Sequence, residues 1–276
     1  MRYLLTLALL VFFHHGYSQY YFNDIVSTQN SNEQYRLLRT GKIHKIKATS
    51  FEPDNTITPG FLLEQDISLD GKKSVVNTAT SEGKTTTTTH TYENGRIRRT
   101  VSFGGGIENK TEYTYSDKGS IQKVVLTTTD TAMKYTTIES HEWSYNDAGK
   151  PLSMLRIKNR LDTTQIVLIK DEKEQIVEEH WKKKNRDIEA YYYYYDASGH
   201  MTDIVRYNAR LKKLIPDFQY EYDANNRISQ MTQIFLSSGN YVVWKYAYND
   251  KGLKSSESAF GKEKTLVGRV EYSYEQ

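Results

Sequence analysis

Large and small side chains alternate along this chain in a way that repeats. "TEYTY" (111–115), "HEWSY" (141–145), "AYYYYY" (190–195), "FQYEY" (218–222), "WKYAY" (244–248) and "VEYSY" (270–274) each put a bulky residue at every second position and end on tyrosine. A period of two is the pattern of a β-strand with one covered face. Immediately after the tyrosine comes a polar cluster such as "NDAGK", "DASGH" or "DANNR", and then an aliphatic residue that restarts the alternation. Asp and Asn bond back to the following backbone, and Gly or Asn tolerates the positive φ that closes a hairpin. The pattern therefore predicts paired strands joined by tight turns, over and over.

Taking the last tyrosine of each segment as an anchor gives Tyr92, Tyr115, Tyr145, Tyr195, Tyr222, Tyr248 and Tyr274, with Lys170 of "LIKDEKEQI" (168–176) standing in for one lost tyrosine. The anchors recur about every 26 residues, enough for two strands and two turns. Two and four residues before each anchor the positions are mostly large, for example Trp143, Tyr193, Tyr220 and Tyr246, or Ile166, Tyr191, Phe218 and Trp244. Six residues after it stand Ile121, Ile176, Met201 and Ile228. The front of the chain also joins in: "ISLDGKKSV" (67–75) reads as a degenerate copy of the turn.

These units resemble YD repeats, also called RHS repeats, which read roughly Y-x-Y-D-x-x-G-R-L. "YYYDASGHM" (193–201) and "YEYDANNRI" (220–228) carry the resemblance, and it extends over about residues 85–276. It implies hairpins joined side by side in a ribbon of antiparallel sheet. Long members of that family spiral into a shell around a toxin. About eight copies are too few to enclose anything, so the resemblance implies a short secreted bacterial member without a toxin segment, and it supplies no catalytic residues.

The first residues read differently. "MRYLLTLALLVFFHHGYSQYY" has a positive start at Arg2, an apolar run from Leu4 to Phe13 and small residues at Gly16 and Ser18. That is the layout of a secretory signal peptide cut ahead of Gln19, and the run is too short to span a bilayer. The expected organisation is a signal peptide at 1–18, a helix-strand segment capping the sheet at 19–60, and the hairpin array at 61–276. Asn and Ser caps, then Tyr35, Leu37 and Leu38, then Gly41, predict a short helix over 31–40 that covers the open first edge of the sheet. The fold class is thus all-β, a repeat-built antiparallel sheet with one short N-terminal helix.

Composition narrows the function classes. Cysteine is absent, so no disulfide supports a chain read as exported. A formal charge of +3 spread over mixed Lys, Arg, Asp and Glu gives no global field for nucleic acid. Mean hydropathy of −0.71 beside 23 tyrosines places the apolar area in aromatic rings. Charges on nearly every strand argue against a lipid-facing barrel.

Candidate chemistry is sparse. His44, His90, His141, His180 and His200 lack zinc spacing, and His90 and His141 occupy positions that are aromatic or aliphatic in other copies, which favours packing. The turn aspartates Asp117, Asp147, Asp196, Asp223 and Asp250 are periodic, so architecture accounts for them better than catalysis. "FGGGIEN" (103–109) reads as a hairpin loop, and "WKKKNRDIE" (181–189) as a solvated hairpin tip in preference to a nucleic-acid patch. No metal, cofactor or catalytic set is expected.

One irregularity remains. The opposite face of the first strand is small or polar in most copies, yet Tyr192 and Tyr194 put rings there, with Val167 and Ile169 one unit earlier. If successive units are adjacent, these four form an apolar patch, either covered by the N-terminal segment or open to a partner. The reading is a non-enzymatic exported protein, periplasmic, cell-surface or extracellular, that offers a sheet surface to an envelope protein or glycan, with no membrane span after signal cleavage. The alternative is a carbohydrate-active envelope enzyme with its site in the N-terminal region.

Overall fold

The computed structural model describes residues 19–208, 211–235 and 239–276; the expected leader, residues 1–18, lies outside them. A π-helical lead-in, Tyr21–Val26, runs into helix α1 (Ser27–Thr40). The strands follow in chain order: β1 (Lys45–Phe51), β2 (Leu62–Ile67), β3 (Lys73–Ala79), β4 (Thr85–Glu93), β5 (Arg96–Gly104) and β6 (Ile107–Tyr115). Next come β7 (Ile121–Asp130), β8 (Tyr135–Tyr145), β9 (Pro151–Lys158), β10 (Asp162–Lys170), β11 (Ile176–Lys183) and β12 (Arg186–Tyr195). The last are β13 (Met201–Asn208), β14 (Lys213–Tyr222), β15 (Ile228–Phe235), β16 (Asn240–Tyr248), β17 (Lys254–Phe260) and β18 (Leu266–Glu275). The all-β class with a single N-terminal helix is as the sequence predicts.

Each repeat is built alike. The strand ending on the anchor pairs with the next strand through a register shift at the anchor itself, so that Tyr115 faces Ile121, Lys170 faces Ile176, Tyr195 faces Met201 and Tyr222 faces Ile228. The residue after the anchor closes the turn. Its carbonyl accepts from the amide three residues on, as with Gly119 to Ser116, Gly149 to Asn146 and Gly199 to Asp196. Where it is Asp or Asn, its side chain also accepts backbone amides, as Asp196 does from Ser198 and His200, both at 2.9 Å. Asp117, Asp147 and Asp250 stand one position later than Asp196 and Asp223, so the five turn aspartates are not equivalent. The capping position holds Ser116, Asn146, Asp171, Asp196, Asp223 and Asn249.

The anchor hydroxyl ties one unit to the one before it. Tyr145 donates to the carbonyl of Ile121 at 2.5 Å, Tyr195 to Ile176 at 2.7 Å, Tyr222 to Met201 at 2.8 Å and Tyr274 to Lys254 at 2.5 Å. Each acceptor lies six residues after the preceding anchor. Tyrosine suits this position because the ring is half-buried against the sheet while its hydroxyl meets a bulged strand end that would otherwise leave a carbonyl unpaired.

The chain falls into two compact units. One, from Arg98–Thr100 and Gly106–Asn240, contains β6 to β15 as an antiparallel meander in which each strand pairs with the next. Its covered face carries Ile166, Tyr191, Tyr193, Ile204 and Met154, all nearly inaccessible. Polar groups on that face are paired, as burial demands. Tyr193 and the Trp181 indole donate to the two oxygens of buried Glu179, at 2.8 and 2.6 Å. Arg206 meets Asp217 at 3.0 Å. His141, expected to serve for packing alone, bonds Glu139 at 3.0 Å, and Arg156 meets the other Glu139 oxygen at 2.7 Å. Burial acts to raise the Glu139 carboxyl, but His141 and Arg156 outweigh it and hold the group at about 2.

The other unit holds the described residues up to Ile97, with Val101–Gly105 and Tyr241–Gln276. Here β16, β17, β18, β1, β2, β3 and β4 pair in that order, so the last strand of the chain joins the first, with Ile46 opposite Tyr274. Since β1 is bonded to both β18 and β2, it offers no free edge for the helix to cover, contrary to expectation. α1 lies on the face instead, where Tyr35 and Leu38 are buried with Ile43, Ile46, Ile67 and Leu253. Tyr35 stacks on Tyr92, centroids 3.5 Å apart, and donates to the Gly71 carbonyl at 2.9 Å. The helix starts before residue 31, and burial of Phe22, Ile25 and Thr28 accompanies these earlier helical turns.

Candidate functional site

The outward face of the ten-strand unit contains the four residues singled out from sequence. Tyr192 and Tyr194 lie on β12, on the side opposite buried Tyr191 and Tyr193; Tyr194 is 46% exposed and Tyr192 half-buried. Val167 and Ile169 share that outward face on β10, half-buried and 43% exposed respectively. The two pairs are not adjacent. β11 runs between them, and places Glu178 opposite both Ile169 and Tyr192, and His180 opposite Val167. The reason is the two-strand unit: equivalent strands of successive repeats are separated by the return strand, about 10 Å apart in total. The intervening strand is polar, with the His180 ring 2.6 Å from Glu178.

The apolar neighbours of Tyr192 lie on its other side. Val205 of β13 pairs with Tyr192 and with Pro216 of β14, and two residues further along Tyr207 pairs with Leu214. Val205 is 7% exposed although its neighbour Ile204 points to the covered face and is fully buried, so this stretch of β13 is covered on both sides. The signal was present in "MTDIVRYN" (201–208), where adjacent Ile and Val break the alternation. Burial pushes the Tyr192 phenol above its ordinary range, and the charge of Glu178 adds to it. On the far side of Tyr194 stand Asp203 and Gln219, whose amide donates to Asp203 at 2.8 Å. The result is a strip with rings and aliphatics in the middle, and carboxylate, amide and imidazole groups along its borders.

The other sequence candidates have local partners. In the N-terminal region Glu33 bonds Arg36, Asp54 caps Thr56, Asp66 meets Lys45 and Asp70 accepts from Ser68 and Lys72. "FGGGIEN" is a two-residue turn between β5 and β6, with Gly105 and Gly106 at positive φ and a strand, not a helix, after it. Among the described residues no three His, Asp or Glu side chains gather as metal ligands would. Among the same residues no helix is long and apolar enough to cross a membrane, which says nothing about strands.

No protein-family model matches the chain, and no curated protein does. Among solved structures, a porin-like protein from Bacteroides uniformis is similar over 84% of this chain and 98% of its own, with 12% identity and a TM-score of 0.41. A porin-like protein from Bacteroides vulgatus gives 84% and 98%, 10% identity and a TM-score of 0.32. The Photorhabdus luminescens Tc holotoxin pore is similar over 85% of this chain but only 17% of its own, with 11% identity and a TM-score of 0.31. With every TM-score below 0.5, these likenesses do not define a fold family for this chain.

Proposed function

We propose that this chain is an exported, non-enzymatic YD-type repeat protein whose sheet presents a contact surface to a protein or glycan at the cell envelope. The observation that supports it is the pair Tyr192 and Tyr194, aromatic rings on an outward face that is small or polar in most other copies, beside the covered outward residue Val205. Rings flanked by carboxylate and amide groups can stack on a flat partner while their borders bond its hydroxyls or backbone. Periodicity explains Tyr191, Tyr193 and Tyr195 but not this pair.

Removing both rings tests the reading. Tyr192→Ala with Tyr194→Ala should leave the thermal midpoint within a few degrees of the parent. It should abolish binding to whichever envelope glycan or protein the parent retains, measured by calorimetry. Unfolding of the double variant would instead assign the pair to the core.

A further inference from the structure

Where the outward face carries a carboxylate three residues before an anchor, a cation meets it. Glu112 pairs with Lys110 at 2.9 Å, Glu142 with Lys123 at 2.7 Å and Glu271 with Arg269 at 3.1 Å. Around Tyr192 and Tyr194 that matching stops. Glu178 lies across from Tyr192 and Asp203 across from Tyr194, while Glu221 follows two residues after Gln219, the partner of Asp203. The groups that hold these three acids are an imidazole and two amides. The His180 ring stands 2.6 Å from Glu178, the Gln219 amide donates to Asp203 at 2.8 Å, and the Gln230 amide donates to Glu221. Among the described residues, none of the three forms an ion pair with Lys or Arg.

The amides satisfy hydrogen bonds without supplying charge. The outward positions beside the rings are Glu178 and His180, Asp203 and Val205, Gln219 and Glu221. They include no Lys or Arg, in a chain that has 37 of them. Glu178 on β11 and Asp203 on β13 flank the rings from either side, two strands and about 10 Å apart. A cationic side chain is attracted both by a tyrosine face and by a carboxylate, and Arg stacks flat on the ring while its fork bonds the acid. A neutral glycan would stack on the same rings, but it would take water from the carboxylates without supplying the missing charge.

We propose that the strip receives a basic segment of a protein partner, its Arg or Lys side chains lying over Tyr192 and Tyr194 between Glu178 and Asp203. This rests on the reading of the strip as a contact surface and names the chemistry of its partner. An extended segment turns every second side chain to one face, about 7 Å apart, which is also the spacing of Tyr192 and Tyr194 along β12. Such a segment lying along the strand therefore puts one cation over each ring.

Calorimetric titration of the protein purified after export tests this, using an octapeptide of alternating Arg and Ser, the same peptide with Glu for Arg, and a neutral glucan hexamer. Only the arginine peptide is expected to bind, and less tightly as salt rises. Glu178→Gln with Asp203→Asn should weaken it about tenfold at an unchanged thermal midpoint, since both replacements can keep their hydrogen bonds. Tyr192→Phe with Tyr194→Phe should bind as the parent does, because the ring face makes the contact. Failure of the parent to bind the arginine peptide, or undiminished binding after the two carboxylates are neutralised, would overturn the proposal. Preference for the glucan, lost on Tyr192→Ala with Tyr194→Ala but kept without the carboxylates, would overturn it and leave the contact surface standing. Unfolding of the alanine variant would remove the contact surface itself, and the proposal with it.

Discussion

The two ends of the ten-strand unit have the same task, turning one strand into the next, and discharge it with different residues. At the repeat end the left-handed position is Gly in Gly119, Gly149 and Gly199, and Asp or Asn side chains cap the backbone. At the other end Lys134, Arg160, Lys184 and Lys212 share it with Asn159 and Asn185, and Met133, Leu161 and Leu211 stand exposed nearby. Where residue type follows backbone need, the sequence describes architecture. Where it runs against that need, the flanking strand pairs hold the turn in its strained conformation.

Acid acts on one buried group in each unit, and with the largest effect. Burial holds the His90 ring at about 4, below its ordinary 6.5, so its neutral form favours the folded chain; that stability is complete above 6.5 and is lost as pH falls to about 4. Glu139, held at about 2, contributes stability present above its ordinary 4.5 and lost as pH falls from there toward 2. Each is worth about 3 kcal/mol. Urea midpoints should therefore decline in two stages, and His90→Leu should flatten the upper stage while leaving the lower one. A single stage unaffected by His90→Leu would remove that residue from the account.

Substitutions then compare two turns of the repeat end. Gly199→Val puts a β-branched residue at φ of 87° and should cost about 2 kcal/mol in denaturant unfolding. The smaller effect has the opposite sign. Glu174 occupies the same turn position at φ of 63°, and Glu174→Gly should stabilise by about 1 kcal/mol, less whatever its ion pair with Lys170 contributes. A loss on Glu174→Gly would mean that the ion pair outweighs the strain.

Much of this structure is legible in the chain because the repeat encodes it locally. Alternation up to each anchor tyrosine, followed by a capping residue and a positive-φ position, fixes strand, face and turn within about ten residues. The return strand was harder to read. Its alternation is less regular, so Glu178 and His180 between the two candidate pairs, and Val205 beside Tyr192, became visible only once the pairing was known. The junction of β1 with β18 lies beyond local reading altogether, since Ile46 and Tyr274 meet through a partnership that no spacing announces. The pairing thus keeps Tyr192 and Tyr194 on one face but separates them from Val167 and Ile169 by β11.

The tyrosine hydroxyls that reach the preceding unit also give the array a direction. Tyr195 binds the carbonyl of Ile176 and Tyr222 that of Met201, so each unit is fastened by the one that follows it in sequence. A chain threaded outward from its N-terminus delivers those units in that order. Every arriving hairpin then brings the clasp for its predecessor, so the border left open at each step is a single strand.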